Sequence, residues 1–423
     1  MSKHELFLSV LACSCLSPSA ALAAQQGEAD VKGGEEVEDR EVVGDGVRWF
    51  AVPNFAYGSD DGLIFGARGE LAIDEAGYEP YKSAYVLHVI VTSTGFHHHR
   101  FRYDRVGLGP DKRFRLTLHV AWRQWLNDGY WGIGNTTTRE RAYVGSFDAD
   151  DPHRKRYRYS LFQPFVHATL RADLNEQWQA FASLNTKWSA VETYPDSLLL
   201  EQQPYGINGG LTALLSMGVL WDTRDPETTP QTGYFCELSG RVAPPLPHGA
   251  GFFGGVFLSL RAYWALAPWV TFAVRGMTEW LFGDIPFYEM VHWGGAIPVA
   301  GFGGAETLRG VAFGRWRAPG KAILNTELRF EIARHSLFDR PMRWQLVPYV
   351  DAGSVYGAGD LETSRAGMFP VHPATGAGIR AIFDEAFVGR IDAGLGLDPV
   401  QSQSGNIRHL PNFGIYVVFD HTF

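Results

Sequence analysis

From residue 47 onward the chain is dominated by segments in which apolar and polar residues alternate one by one, and this period of two constrains the fold more than any other feature. Phe114, Leu116, Leu118, Val120 and Trp122 alternate with Arg115, Thr117, His119, Ala121 and Arg123. Val270, Phe272, Val274, Gly276, Thr278 and Trp280 alternate with Thr271, Ala273, Arg275, Met277 and Glu279. Leu324, Thr326, Leu328, Phe330 and Ile332 alternate with Asn325, Glu327, Arg329 and Glu331. Successive side chains of a strand point to opposite faces, so each segment offers one apolar and one polar face. After the first two dozen residues there is no uncharged apolar stretch of about 18 residues, which excludes helical membrane spans.

A soluble sandwich also alternates, but two features select a membrane barrel. The segments are about ten residues long or longer, the length that crosses a bilayer at a tilt. The connections also alternate between short and long. Sixteen strands are expected, at 47–57, 63–74, 83–94, 98–107, 113–125, 157–173, 177–192, 211–223, 233–243, 255–265, 269–282, 320–334, 344–356, 376–383, 387–397 and 413–423. Brief turns follow the even-numbered strands, as at 109–112 and 267–268, and long loops follow several odd-numbered ones, at 126–156, 193–210, 283–319, 357–375 and 398–412. The fold class predicted is all-β, a 16-stranded antiparallel transmembrane β-barrel with both ends in the periplasm and an inward-folded loop after the eleventh strand. Lipid offers no hydrogen-bond partner, so the sheet must have no edge, and its polar face must line an aqueous lumen. An aromatic content of 14% suits the interfacial belts of such a barrel.

Residues 1–24 read as an export signal: Lys3, an apolar run from Leu6, and the small residues Ala21-Leu-Ala-Ala24 before a cleavage point. Residues 25–46 form an acidic periplasmic linker, with eight carboxylates against Lys32 and Arg40. Residues 47–423 are the barrel. Of Cys13, Cys15 and Cys236 the mature chain keeps only Cys236, placed on the lipid face with Tyr234 and Leu238, so no internal disulfide is expected.

A formal net charge of −9 argues against nucleic acid as a partner. His97, His98 and His99 alternate faces on a strand and read as part of a solvated turn, and no metal is expected. Gly301-Phe-Gly-Gly304 opens no helix and makes no phosphate cradle. No Ser has a spacing that identifies a nucleophile, so neither a catalytic site nor a cofactor is expected, and the chain does not read as an enzyme.

The chain ends Phe413-Gly-Ile-Tyr-Val-Val-Phe-Asp-His-Thr-Phe423, with Ile415, Val417, Phe419 and Phe423 on one face. This tail resembles the terminal signal, here carried by Phe419 and Phe423, by which outer-membrane barrels are recognised and inserted by the barrel assembly machinery.

Further patterns occur in order: Val52-Pro-Asn-Phe-Ala-Tyr57 through Gly62-Leu-Ile-Phe-Gly-Ala67; Tyr130-Trp-Gly-Ile-Gly-Asn135; Trp221-Asp-Thr-Arg-Asp225 before Gly233-Tyr234; Leu308-Arg-Gly310 with Glu327-Leu-Arg329; and Tyr349-Val-Asp-Ala-Gly353. Together they resemble the BamA/TamA surface-antigen family of outer-membrane barrels. The resemblance implies that Arg309, with Gly310 beside it, folds back into the barrel and meets Asp351, with Gly353 in the same motif. Glu327 and Arg329 face the same lumen and can join the network. The family has an aromatic after Arg-Gly, whereas this chain has Val311, with Phe313 two further on. The resemblance also implies periplasmic POTRA modules, for which residues 25–46 are too few, so a short, POTRA-less member is expected.

The expected function is to aid insertion or translocation of protein or lipid at the outer membrane. Its partners would be outer-membrane lipid and a separate periplasmic protein that delivers clients. Two alternatives stand beside it: a passive or selective pore, and a surface-exposed structural or adhesive barrel. A lumen open to ions favours the pore, a plugged lumen with a weak seam favours insertion, and ligand capture by the long loops favours adhesion.

Overall fold

The computed structural model describes residues 45–58, 62–78, 81–135, 137, 155–225, 229–337, 340–357, 370–383, 387–398, 400–401, 407–408, 412–419 and 421–423; at some strand positions, Phe419 among them, only the backbone is described. The expected signal at 1–24, and all but the last two residues of the linker at 25–46, lie outside the described residues.

The strands are β1 (Gly46–Gly58), β2 (Gly62–Asp74), β3 (Ser83–Thr92), β4 (Phe96–Leu108), β5 (Phe114–Gly129), β6 (Arg158–Phe162), β7 (Phe165–Asp173), β8 (Trp178–Thr193), β9 (Gly210–Asp222), β10 (Gly233–Ala243), β11 (Phe253–Ala267), β12 (Val270–Gly283), β13 (Gly320–Leu337), β14 (Arg340–Tyr356), β15 (His372–Phe383), β16 (Phe387–Gly396), β17 (Val400–Gln401), β18 (Ile407–Arg408) and β19 (Asn412–Phe419). A short helix, α1 (Leu198–Gln202), lies in the loop after β8 and is capped by the Ser197 side chain. β17 and β18 make a separate two-stranded ribbon, and the other described strands form one sheet of seventeen whose ladders run antiparallel.

β6 and β7 follow one another along β5 and β8 and make up a single stave, so the sheet has sixteen staves. The sequence reads this stave as one strand, 157–173. It breaks at Gln163-Pro164 because proline has no N–H to give the ladder. Local bonds span the break: Gln163 N donates to Arg123 O (2.7 Å) and Trp188 N to Pro164 O (3.1 Å).

The sheet closes between β1 and β19. β1 pairs β2 along its whole length, from Gly46↔Asp74 to Gly58↔Gly62, but among the described residues it meets β19 at the one pair Gly58↔Tyr416. Pro53 lies in the middle of β1 and cannot donate to either neighbour.

Outward positions are apolar and exposed, as with Leu87, Leu170, Leu215, Val256 and Leu260. Without a bilayer to cover them such a surface would aggregate. Beside the short turns, an aromatic row crosses four strands: Trp221 stacks on Tyr234 (6.3 Å between centroids), Tyr234 meets Trp264 edge-on (6.2 Å), and Trp264 stacks on Phe272 (5.7 Å). Cys236 shares this face, opposite Trp221 and Leu260 of the adjoining strands.

The carboxy-terminal residues depart from the expected register. The sequence reading extends the last strand to 423 and puts Phe423 on the apolar face. Instead β19 ends at Phe419, and residues 421–423 turn into the lumen, where Phe423 is 6% exposed and its ring lies 6.3 Å from that of Tyr263. Lumen arginines hold the turned-in end. Arg275 donates to Thr422 O (2.8 Å), Arg390 to Thr422 Oγ1 (2.9 Å) and Arg329 to Phe423 O (3.1 Å).

Candidate functional site: the lumen loop and the seam beside it

Residues 284–319, between β12 and β13, fold into the lumen rather than out over the surface. Most of 285–296, 301–304, 307–311 and 314–318 is buried. A loop inside an aqueous barrel must find partners for its own backbone and for the charged wall around it. It does so at three levels.

The first level is the loop tip. Arg309 is fully buried and grips Asp351 of β14 with both ends of its fork, Nε to Oδ2 at 2.8 Å and Nη2 to Oδ1 at 2.9 Å, while its backbone N also donates to Oδ2 at 3.1 Å. Its remaining nitrogen donates to Glu327 of β13 at 2.6 Å, and the guanidinium lies 3.4 Å from the centre of the Tyr349 ring. This fork geometry is what a planar guanidinium offers a carboxylate. Glu327 is shared further with Arg329 (3.0 Å) and Arg380 (3.4 Å). Asp392 of β16 is shared by Arg380, by Arg390 (2.6 Å) and, more distantly, by Arg309 (3.7 Å). Arg275 reaches Asn325, which in turn donates to Asp351 (2.8 Å) and to Thr307 O in the loop (2.6 Å).

The structure thus brings Arg309, Asp351, Glu327 and Arg329 into one contact. Two glycines make the approach possible. Gly310 has φ +91°, and a Cβ there would lie 2.6 Å from the backbone of Gly394 and Leu395 on β16. At Gly353 a Cβ would lie 2.6 Å from the Phe302 ring, which the loop packs onto that strand. Val311 is buried, and Phe313 packs toward Trp125 across the lumen (5.8 Å between centroids).

The second level holds residues 289–296. Arg241 (2.9 Å) and Lys321 (2.8 Å) donate to His292 O, and both also contact Glu279, which accepts from Gly294 N (3.0 Å). Lys187 pairs with Glu289 of the loop at 2.7 Å, and Glu237 accepts from Ala296 N at 2.7 Å.

The third level ties the loop to the segment after β5. Arg317 donates to Gly129 O and to Phe287 O (3.3 Å), and its own carbonyl accepts from Gly134 N (2.8 Å). Asn135 makes a two-way bond with the Val355 backbone and also contacts His372 (2.9 Å). Here Tyr130, Tyr159, Leu161, Leu199, Phe287 and Tyr288 form a buried apolar cluster.

Several residues of this site escape a reading of the sequence. Arg275, Arg380, Arg390, Asp392 and Thr422 complete the tip network. Their inward parity on the strands was visible, but which lumen charges meet depends on how the strands are staggered around the barrel. Phe419 lies in β19, paired with Gly389. Phe423 sits in the lumen, apart from the membrane face.

The opposite wall, β2 to β7, is built differently. Arg68, His88 and Arg100 are direct cross-strand neighbours, as are Arg102, His119 and His167. Carboxylates are few here. Glu70 accepts from Arg68 (3.0 Å) and Asp104 from Arg115 (2.6 Å). The Nε atoms of Arg68, Arg102 and Arg123 are buried with no hydrogen-bond partner among the described residues. Between this wall and the loop lies a cavity of about 610 Å³, which reaches to β19 and the end of β1. Among the described residues no group of His, Cys, Asp and Glu is arranged to hold a metal ion.

Comparison with known proteins agrees with this architecture. In solved structures, the chain is similar to BamA from Haemophilus ducreyi lacking POTRA domains 1–3, at 15% identity and a TM-score of 0.55, over 97% of this chain and 78% of that one. It is also similar to CdiB from Escherichia coli (13% identity, TM-score 0.54, 88% of this chain and 62% of that one) and to CdiB from Acinetobacter baumannii (12%, 0.52, 88% and 59%). The chain therefore spans about three-fifths of the length of the CdiB proteins. A search of curated protein sequences gives no match. The model of the Omp85 superfamily domain matches residues 108–415, most of the barrel including the whole lumen loop, and the chain belongs to that superfamily of outer-membrane barrels.

Proposed function

We propose that this barrel aids the insertion or translocation of protein at the outer membrane by parting β1 from β19 while the lumen loop stays fixed. The observation that carries this reading is the contrast at closure. Among the described residues β1 and β19 share one residue pair, whereas the loop is tied to the wall by several buried ion pairs. Strain on the barrel would open the seam before it released the loop, because so short a described ladder is far weaker than a desolvated, multiply bonded charge network. A parted seam offers unpaired backbone groups to an incoming strand, which lowers the cost of bringing that strand into lipid.

The finer parts of the reading are an exported precursor whose signal at 1–24 is removed, and a separate periplasmic protein that brings clients to the barrel. In the same reading, the tail with Phe419 and Phe423 serves as the insertion signal before folding and turns inward afterwards.

Vesicles holding the purified barrel should speed the folding of an unfolded outer-membrane barrel added from outside. An engineered disulfide across β1 and β19 near the Gly58–Tyr416 pair should abolish that gain, and reductant should restore it. An undiminished gain in the oxidised form would overturn the seam mechanism. Planar-bilayer conductance separates this reading from the pore. A loop that plugs the lumen gives small currents that grow when Arg309 is replaced by Ala, while a large steady current untouched by that change would mean an open pore.

A further inference from the structure

The cavity beside the seam changes chemistry as it runs around the wall. At the seam it is apolar, with Val418 of β19, Ile64 of β2 and Ile90 of β3 at inward-facing positions. Three to five strands further on it becomes cationic, with Arg100 of β4, Arg123 of β5 and Arg158 of β6. The loop side is mostly small residues, Ala300, Gly303, Gly304 and Ala305. Two carboxylates border the cavity: Asp128, which accepts a hydrogen bond from the Tyr159 hydroxyl, and Glu306. His98 is also in the lining. Arg123 contacts Gln163 and lies 4.6 Å from the Trp125 ring, and Arg158 donates to Asn127 O (2.9 Å), so both are positioned without a carboxylate taking up their charge in these contacts.

A second observation concerns access. The cavity is bordered also by Phe413 and Val417, which alternate along β19 with the buried Gly414 and Tyr416 and so have outward parity. One space is therefore bounded by residues of both faces of the wall, at the place where β1 and β19 share one pair among the described residues. An enclosed polar pocket would have no such border. A pocket of a few hundred cubic ångströms that is apolar at one end and holds convergent cations at the other suits a ligand of the same build.

We propose that this cavity binds an anionic lipid, with a phosphate against Arg100 and its diagonal neighbour Arg123 and an acyl chain running along Ile64, Ile90 and Val418 out through the seam. Arginine forks match phosphate oxygens in geometry and charge, and the chain carbons exchange water for apolar wall. The assignment rests on the cavity and the seam and not on any client, so it stands or falls separately from the insertion reading.

The test is native mass spectrometry and titration of the full-length barrel, using phosphatidylglycerol, phosphatidylcholine and inorganic phosphate as probes. Phosphatidylglycerol should stay bound at one copy per barrel and bind about tenfold more tightly than phosphatidylcholine, whose choline cation offsets the same phosphate charge. Arg100→Gln should remove most of that margin and Arg100→Lys should restore part of it, with circular dichroism and heat-modifiable gel migration reporting that each variant is folded. Equal retention of both lipids, or a margin that Arg100→Gln leaves intact, would overturn the proposal. Inorganic phosphate that competes as well as the lipid would also overturn it, by showing a free-anion site with no part for the chain. Failure here with normal client insertion would leave the seam mechanism untouched, and the reverse result would leave the lipid site standing.

Discussion

On the wall from β12 to β16 the carboxylates Glu279, Glu327 and Asp392 are each shared by two or more cations and Asp351 takes both ends of the Arg309 fork, whereas on the wall from β2 to β7 arginines and histidines face one another with little acid between them. The difference follows from what each wall touches. The first holds a loop excluded from water, and a buried charge there is tolerable only when paired and fully hydrogen-bonded. The second borders the cavity at His98, Arg100 and Arg123. One half of the lumen is thus a clamp and the other a surface available to a ligand. The seam lies between them, bounded by β19 on the clamp side and β1 on the other.

This comparison is most sharply tested at Arg309. Replacing it with Ala leaves Asp351 and Glu327 buried without their shared cation, and should cost about 3–5 kcal/mol, seen as a lower denaturant midpoint for the barrel in detergent. Adding Asp351→Ala should then cost little more, because the two residues act through one ion pair. Additive losses in the double-mutant cycle would mean that the tip is held by something else. Gly310→Ala should come next, at about 1–3 kcal/mol, since its φ is +91° and the added methyl would press on the β16 backbone. The same variant should raise fluctuation in single-channel current as the tip lifts. The smallest structural effect is expected on the cationic wall. Arg102→Gln should change stability by no more than about 1 kcal/mol. In the Arg309→Ala background it should lower the preference of the opened lumen for anions, read as a shift in reversal potential. A large stability loss from Arg102→Gln would erase the distinction between the two walls.

Much of the strand layout could be read directly. The segment expected at 269–282 is Val270–Gly283, and the one at 177–192 is Trp178–Thr193. Alternation is a local property, and the membrane enforces it on each strand separately. Errors came where a local rule met a non-local one. Pro164 broke a stave that reads as continuous. The strand expected to start at 376 begins at His372, because β14 offers a ladder as far as Gly353 for it to pair with. The tail expected to end on lipid ends on lumen arginines, which belong to β12, β13 and β16 and lie far from it in sequence.

By itself the sequence determined the alternation and the number of staves, and its resemblance to a known family pointed to Arg309 and Asp351, with Glu327 and Arg329 on the same face. These depend on parity along single strands and on motifs whose members are few residues apart. Only the tertiary structure decided that Arg275, Arg380, Arg390 and Asp392 join them, that β1 meets β19 at Gly58 and Tyr416, and that a cavity apolar at one end and cationic at the other opens beside that pair. Those features depend on the stagger of strands around a closed sheet. Parity says which face a side chain takes, and stagger says at what depth and against which neighbour it takes it.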